Sequence, residues 1–280
     1  MNSHDDFSGC RADTITSRRA AVERAIAAMA ETLDSPMSLK ALARKSWVSA
    51  SHLDHVFRQF TGSSPRQFMG ALRLQKAKQL LLTTRSKVID TCLEVGFSSV
   101  GTFSYRFAEL VGVSPVQLRK LAGYRILEHI NGLKGFATTS PRDAHQGVSG
   151  ELAGPASFSG TIFIGLFTTP IPQGHPAACV VMSQPGRFAI PNVPDGEYYG
   201  FGVAFPLSDN PLTYFDNDAA LRASSHPKVI YITRGRCATD LRFELRPPDL
   251  TDPPILVAIP ALLDGCFASP GASGSGTTAI

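Results

Sequence analysis

The sequence predicts a multidomain α + β protein, in which an all-α domain with two helix-turn-helix units precedes an all-β sandwich. Three observations predict it. Prolines are unevenly spread: Pro36, Pro65, Pro115 and Pro141 precede residue 150, and the other 16 of the 20 follow it. Proline breaks a helix interior, so the first half is read as helical and the second as not. A segment of the first half repeats itself at an offset of 50 residues. The second half consists of short apolar runs punctuated by glycine and proline, which is the signature of strands.

Composition supports two globular domains. The chain has 280 residues, 43% of them hydrophobic and only 18% charged, against the balance of a disordered protein. Its net charge of +4 hides an asymmetry. Residues 16–125 carry 17 Lys and Arg against 7 Asp and Glu, a net of +10, whereas residues 151–280 carry 7 against 11, a net of −4. A basic domain tied to an acidic one points to a polyanion as partner of the first. Five cysteines, at 10, 92, 179, 237 and 266, are far apart and form no Cys-x-x-Cys pair. They read as reduced thiols rather than as a zinc site or a disulfide framework. No run of 18 apolar residues is present to span a membrane, and the polar start MNSHDDFSGCRAD does not have the form of a secretory signal. The expected location is the cytoplasm.

The boundaries follow from these patterns. Residues 1–15 read as a mobile tail, 16–125 as the helical domain, and 126–157, rich in Gly, Ser, Thr and Pro, as a linker. Residues 158–264 read as the β domain, and 265–280, ending in GASGSGTTAI, as a disordered tail.

Within the helical domain, Val22, Ile26, Met29, Ala30 and Leu33 recur at helical spacing over 18–33. Ser38 opens a short helix whose inward residues are expected to be Leu39, Leu42 and Ala43. A turn at Ser46-Trp47-Val48-Ser49 leads to a second helix over 50–60, and a longer one runs from Pro65 to Leu82. Short helices at 88–95 and 99–110 are joined by Gly96-Phe97-Ser98, with Val88, Cys92 and Val95 inward. The repeat pairs Leu53 with Phe103, Phe57 with Phe107, Gly62 with Gly112, Ser64 with Ser114, Pro65 with Pro115 and Gln67 with Gln117. Each copy ends in Gly-x-Ser-Pro-x-Gln. Glycine takes positive φ past a helix end. Serine caps the next helix, proline suits its first position, and glutamine reaches back to the cap. Two helices joined by so short a turn form a helix-turn-helix, whose second helix fits the major groove of DNA. Two such units on one long helix suit successive groove segments about 34 Å apart.

These residues resemble the DNA-binding domain of the AraC/XylS family of bacterial transcription regulators. The matching run includes Ser38-Leu39-x-x-Leu42-Ala43, Ser51-His52-Leu53-x-x-x-Phe57, Thr61-Gly62-x-Ser64-Pro65 and Leu72-Arg73-Leu74-x-x-Ala77-x-x-Leu80-Leu81. It continues through Val95-Gly96-Phe97-Ser98-Ser99, Phe103-x-x-x-Phe107 and Gly112-x-Ser114-Pro115-x-x-x-Arg119. Two positions depart from the family pattern: Trp47 stands in a turn that is often small, and Thr91 where an aliphatic residue is usual. The resemblance implies that Ser51, Asp54, His55 and Arg58 read bases from the first recognition helix, and Val100, Gly101, Ser104 and Tyr105 from the second. The apolar stripe of Leu53, Phe57 and Phe60 leaves the first set outward on its own account. Arg66, Arg73, Lys87, Arg106 and Arg119 are candidate phosphate contacts. The partner implied is double-stranded DNA, with RNA polymerase as a further candidate.

In the β domain, strand-like runs occur at 158–167, 177–183, 187–193, 197–206, 228–233, 238–245 and 254–260. Residues 186–199 resemble the strand-turn-strand of transthyretin-like, carboxypeptidase-regulatory-type sandwiches. There Phe188 and Ile190 enter the core, Pro194-Asp195-Gly196 turns, and Tyr198 re-enters. Residues 208–228 read as a long loop with one helical turn at 217–224. Its acidic residues Asp209, Asp216 and Asp218 are read as solvated rather than as a Ca²⁺ site. The domain's role stays open between sensing a small-molecule effector, docking onto a protein partner, and an enzymatic activity. No convergent titratable set marks a catalytic site, no cofactor motif appears, and His52 with His55 lacks a third metal ligand.

Overall fold

The computed structural model describes residues 5–121, 147–215 and 220–259. Seven helices occupy the first of these segments: α1 (Asp5–Glu31), α2 (Leu39–Lys45), α3 (Ala50–Thr61), α4 (Pro65–Thr83), α5 (Val88–Glu94), α6 (Val100–Val111) and α7 (Pro115–Leu121). Helix α1 begins at Asp5, inside the segment read as a tail. Its apolar spacing starts only near Ala21, so the sequence pattern left the first turns unmarked.

The predicted capping chemistry is in place. The Ser64 hydroxyl accepts the Gln67 amide at 3.3 Å, and Gln67 Oε1 accepts the Ser64 amide at 3.1 Å. Ser114 and Gln117 repeat the pair at 3.2 and 2.9 Å. Gly62 and Gly112, which end α3 and α6, have φ of 72° and 90°. Left-handed backbone favours glycine, so the repeat is a repeat of helix ends as much as of helices.

The first unit has a core of its own. Val22, Ile26 and Met29 of α1 meet Leu42 and Ala43 of α2, Leu53, Val56 and Phe57 of α3, and Phe68 of α4. The Phe57 and Phe68 rings meet edge to face, with centroids 5.3 Å apart. Leu39 was expected inward but is 37% exposed. As the first residue of α2, it has no preceding turn to cover it.

Nine strands follow: β1 (Gly147–Ala153), β2 (Gly160–Phe167), β3 (Ala178–Met182), β4 (Gly186–Pro191), β5 (Gly196–Pro206), β6 (Leu221–Ser224), β7 (Ile230–Thr233), β8 (Arg236–Cys237) and β9 (Leu241–Glu244). They form a three-stranded sheet of order β4-β1-β9 and a larger sheet of order β3-β2-β5-β7-β8, with β6 also paired to β5. Strand β1 lies antiparallel to β4, with Val148 opposite Ile190, and parallel to β9, with Leu152 opposite Phe243.

The larger sheet is covered on both faces, which explains why every residue of β2 is buried. Ile162, Ile164 and Leu166 point to a core shared with Val148, Leu152, Phe188, Ile190 and Phe243 of the smaller sheet. Phe163 and Phe167 alternate to the other face. With Phe201, Val203 and Phe205 of β5 they join Leu74, Leu81, Phe103, Phe107 and Leu118 of the helical domain in one core. The strand period of two thus ties the sheet to two different neighbours.

Four expectations need correction. Strand β1 lies within the segment read as linker. Its Gly147 and Gly150 weaken the strand signal but suit the packing, since a Cβ at Gly150 would come within 2.5 Å of Phe188 and 2.6 Å of the Leu241 carbonyl. Residues 254–260 were read as a strand. Instead Ile255–Ile259 form no strand, and their buried side chains fill the seam between sheet and helices. The loop at 208–228 holds a 3-10 turn (Pro211–Tyr214), and strand β6 (Leu221–Ser224) occupies the described part of the segment where a helical turn was expected. Cys179 is disulfide-bonded, against the reading of five reduced thiols. Cys92 and Cys237 are free. The expectations for Cys10, Asp216, Asp218, Cys266 and the C-terminal tail fall on side chains or segments outside the described residues.

Candidate nucleic-acid interface

Helices α3 and α6 begin alike. Ser49 and Ser99 cap them, accepting the amides of His52 at 3.2 Å and Thr102 at 3.3 Å. Burial of Leu53, Val56 and Phe57 in α3, and of Phe103, Phe107 and Val111 in α6, fixes which faces stay outward.

On α3, Ser51, His55 and Arg58 are exposed and Asp54 is half-buried. Arg58 Nε donates to Asp54 Oδ2 at 3.0 Å across one helical turn, so the guanidinium is held along the exposed face. On α6, Gly101 and Tyr105 are exposed, Val100 and Ser104 half-buried, and Tyr105 reaches 71% exposure.

A groove of about 680 Å³ runs between the two units. Asp54 and Arg58 of α3, Arg66 and Arg73 of α4, and Arg106 of α6 line it, with Phe97 of the second turn. Both α3 and α6 therefore open onto one arginine-rich groove. Its apolar floor includes Met29, Leu42 and Met69. Ser51, His55, Val100, Gly101, Ser104 and Tyr105 lie outside this lining.

The five residues singled out for phosphate contact divide. Arg66, Lys87 and Arg106 are exposed. Arg73 is half-buried and donates to the Ser35 carbonyl at 3.0 Å, with Gly96 O at 3.4 Å. Burial lowers its pKa, opposed by the charge of Asp34. Arg119 donates to the carbonyls of Leu81, at 3.1 Å, and Ser86. These two guanidiniums join segments of the helical domain, Arg73 across the units and Arg119 across the end of α4.

Trp47 is more unusual than the sequence indicated. Its φ is 60°, a left-handed backbone that bulky residues rarely adopt, and it is 80% exposed. The Arg24 guanidinium lies 4.8 Å from its ring centroid and donates to the Ser46 carbonyl at 3.1 Å. Thr91, the other departure, is fully buried in α5.

Residues 42–121 match the family model described as a helix-turn-helix domain. The HTH-type transcriptional regulator ArgR of Pseudomonas aeruginosa is 32% identical over 92 residues, covering 33% of this chain and 28% of its own. The transcriptional activator RhaR of Klebsiella pneumoniae is 31% identical over 105 residues, 38% of this chain and 37% of its own. A Chromobacterium violaceum regulator with an AraC-type DNA-binding domain is similar at 28% identity, covering 36% of this chain and 91% of that one, with a TM-score of 0.36.

Residues 42–121 are a helix-turn-helix domain. The chain spans 28% and 37% of the length of these two curated relatives. Sequence reasoning named Trp47 as a departure but did not reveal its backbone conformation, and it missed the contact that Arg24 makes with its ring. No local pattern signals either.

Among the described residues no group of three His, Cys, Asp or Glu side chains is placed to hold a metal. No helix among them is long and apolar enough to cross a membrane.

Proposed function

We propose that the protein is a transcription regulator that binds double-stranded DNA through its AraC-type domain, with α3 and α6 in successive major-groove segments. The observation that carries this is the shared groove: Arg58 of the first recognition helix and Arg106 of the second line one basic cleft. Cations from both probes on one face match a polyanion that passes both.

In this reading Ser51, Asp54, His55 and Arg58 contact bases in the first segment, and Val100, Gly101, Ser104 and Tyr105 in the second. Val100 suits a thymine methyl, and Ser104 suits several base edges. Arg66, Arg106 and Lys87 hold phosphates and set the register. Arg73 and Arg119 keep their carbonyl partners and act on DNA through the shape of the domain. The β domain, with its transthyretin-like strand-turn-strand at 186–199, senses an effector or meets a protein partner such as RNA polymerase. The core it shares with the helices favours a structural role alongside either. No catalytic step is assigned to it.

The test is enrichment of duplexes from a random-sequence pool by the full-length protein. The expected product carries two sequence elements about one helical turn apart. Retention of duplexes without any enriched sequence would reduce the protein to a non-specific binder and overturn the reading.

A further inference from the structure

The last carbonyls of an α-helix have no partner within the helix. In this protein the β domain supplies donors to such carbonyls at the C-terminal ends of both recognition helices. At the end of α6, the Gly174 amide donates to the Leu110 carbonyl at 2.7 Å, and the Ala258 amide to the Val111 carbonyl at 3.0 Å. At the end of α3, His226 Nε2 lies 3.2 Å from the Gln59 carbonyl. A carbonyl only accepts, so this nitrogen carries the proton. Both attachments fall within the three residues that precede the glycine ending each helix, Gly62 and Gly112.

The attachments differ in strength. The second unit is fused to the β domain through one apolar core that runs from Leu81, Phe103 and Phe107 to Phe163, Phe205 and Leu256. The first unit keeps a separate core and meets the β domain at scattered points outside it. These are His226 on Gln59, Pro170 and His226 against Gly62, and an ion pair between Arg19 of α1 and Asp249. The second unit and the β domain therefore form one block, and the first unit is latched to it.

We infer that the β domain is a brace that fixes the spacing of the two recognition helices by capping both of their C-terminal ends. This rests on the DNA-binding reading above and gives the β domain a role within it. Helix α4 connects the units on one side, and the brace connects them a second time through contacts far apart in sequence. Closing that loop removes bending freedom which α4 alone leaves to the first unit. The consequence for function is discrimination between DNA sites by the distance between their two elements.

The repeat provides its own control. A Cβ added at Gly62 would lie 2.8 Å from Pro170 Cβ and 2.9 Å from His226 Nδ1, both in the β domain. One added at Gly112 would meet nothing closer than 3.7 Å. Gly62→Ala and Gly112→Ala impose the same kind of left-handed strain, but only the first pushes against the brace.

The experiment uses full-length protein and the duplex it enriches from a random-sequence pool, with the two elements located by footprinting. One base pair is then inserted between them. Wild-type protein is expected to lose at least about fivefold in affinity on insertion. His226→Ala and Gly62→Ala are expected to bind the original duplex less well and to lose most of that insertion penalty. Gly112→Ala keeps the penalty, and His226→Gln, which retains an N–H donor, restores it. Thermal unfolding establishes that each variant is folded at the assay temperature. Equal penalties in all of these proteins would overturn the brace and leave DNA binding standing. Failure to enrich any duplex would overturn the DNA-binding reading itself.

Discussion

The Lys78 ammonium, on the helix that joins the two helix-turn-helix units, donates to the carbonyl of Ile255 at 2.9 Å. The two residues are 177 positions apart. Lys78 is buried, and its second contact is the Leu256 carbonyl at 3.5 Å. A cation in this seam is solvated by backbone oxygens of the segment that fills it. Burial, reinforced by repulsion from Arg222, pulls its pKa from 10.5 down to about 7.

A dependence of stability on alkaline pH follows. Between about pH 7 and 10.5 the unfolded chain holds a proton on Lys78 that the folded protein has released. Stability therefore rises with pH across this window, by up to about 1.4 kcal/mol per pH unit from this group. Below pH 7 both states are protonated and the contribution is flat. Urea unfolding of wild type and Lys78→Met at several pH values checks this. The variant is expected to show the shallower slope between pH 7 and 9, and parallel slopes would remove Lys78 as the cause.

Position 47 carries a second stability prediction. A left-handed backbone costs a non-glycine residue about 1–2 kcal/mol. The exposed contact between Arg24 and the Trp47 ring returns about 0.5–1 kcal/mol. Trp47→Gly is thus expected to stabilise the protein by up to about 1.5 kcal/mol. Arg24→Ala in the wild-type background is expected to destabilise it, and to have a smaller effect when Trp47 is already glycine. A double-mutant cycle on thermal unfolding measures both, and strict additivity would show that the ring contact contributes nothing.

The helical domain was legible because its signals are local. Gly-x-Ser-Pro-x-Gln occupies six consecutive residues, and every bond of its capping box closes within three positions of the cap. The outward faces of α3 and α6 followed from the stripes of Leu53 with Phe57 and of Phe103 with Phe107. What stayed hidden depends on distant partners. Strand β1 is stabilised by β4 and β9, about 40 and 90 residues away in register, and its glycines mute its own signal. The run Pro-Ile-Leu-Val-Ala-Ile-Pro has strand composition, but its neighbours are α4, α6 and the loop at Pro172 rather than a sheet edge. His226 looked like one residue of a polar loop, and only the fold brings it to Gln59.

Acidic pH is expected to loosen the attachment of the first unit at His226. Burial lowers the pKa of His226 from the ordinary 6.5, opposed by hydrogen bonds to the Gln59 and Phe60 carbonyls. Its Nδ1 is buried without a hydrogen-bond partner. Protonation there is therefore easier in the unfolded chain. The contribution of His226 is complete above pH 6.5 and is lost as pH falls from 6.5 towards the depressed value. Hydrogen exchange at the C-terminal end of α3, compared at pH 7.5 and 5.5 after correction for intrinsic rates, reads this directly. Protection is expected to fall in wild type and to change less in His226→Gln.

Arg58 and His55 carry the prediction about specificity. Arg58 is held by Asp54 on the exposed face of α3, and His55 lies beside it. If both address base edges, Arg58→Ala and His55→Ala each weaken binding to the enriched duplex by about 1–3 kcal/mol. Binding to a scrambled duplex at the same salt concentration changes far less, because phosphate contacts dominate there. Asp54→Ala removes one of these contacts and frees the guanidinium, so it is expected to weaken binding to the enriched duplex and to relax base preference in the first element. The alternative is that the three side chains face the sugar-phosphate backbone. Enriched and scrambled duplexes would then lose affinity in equal measure, and the salt dependence of binding would decrease by about one ion for Arg58→Ala.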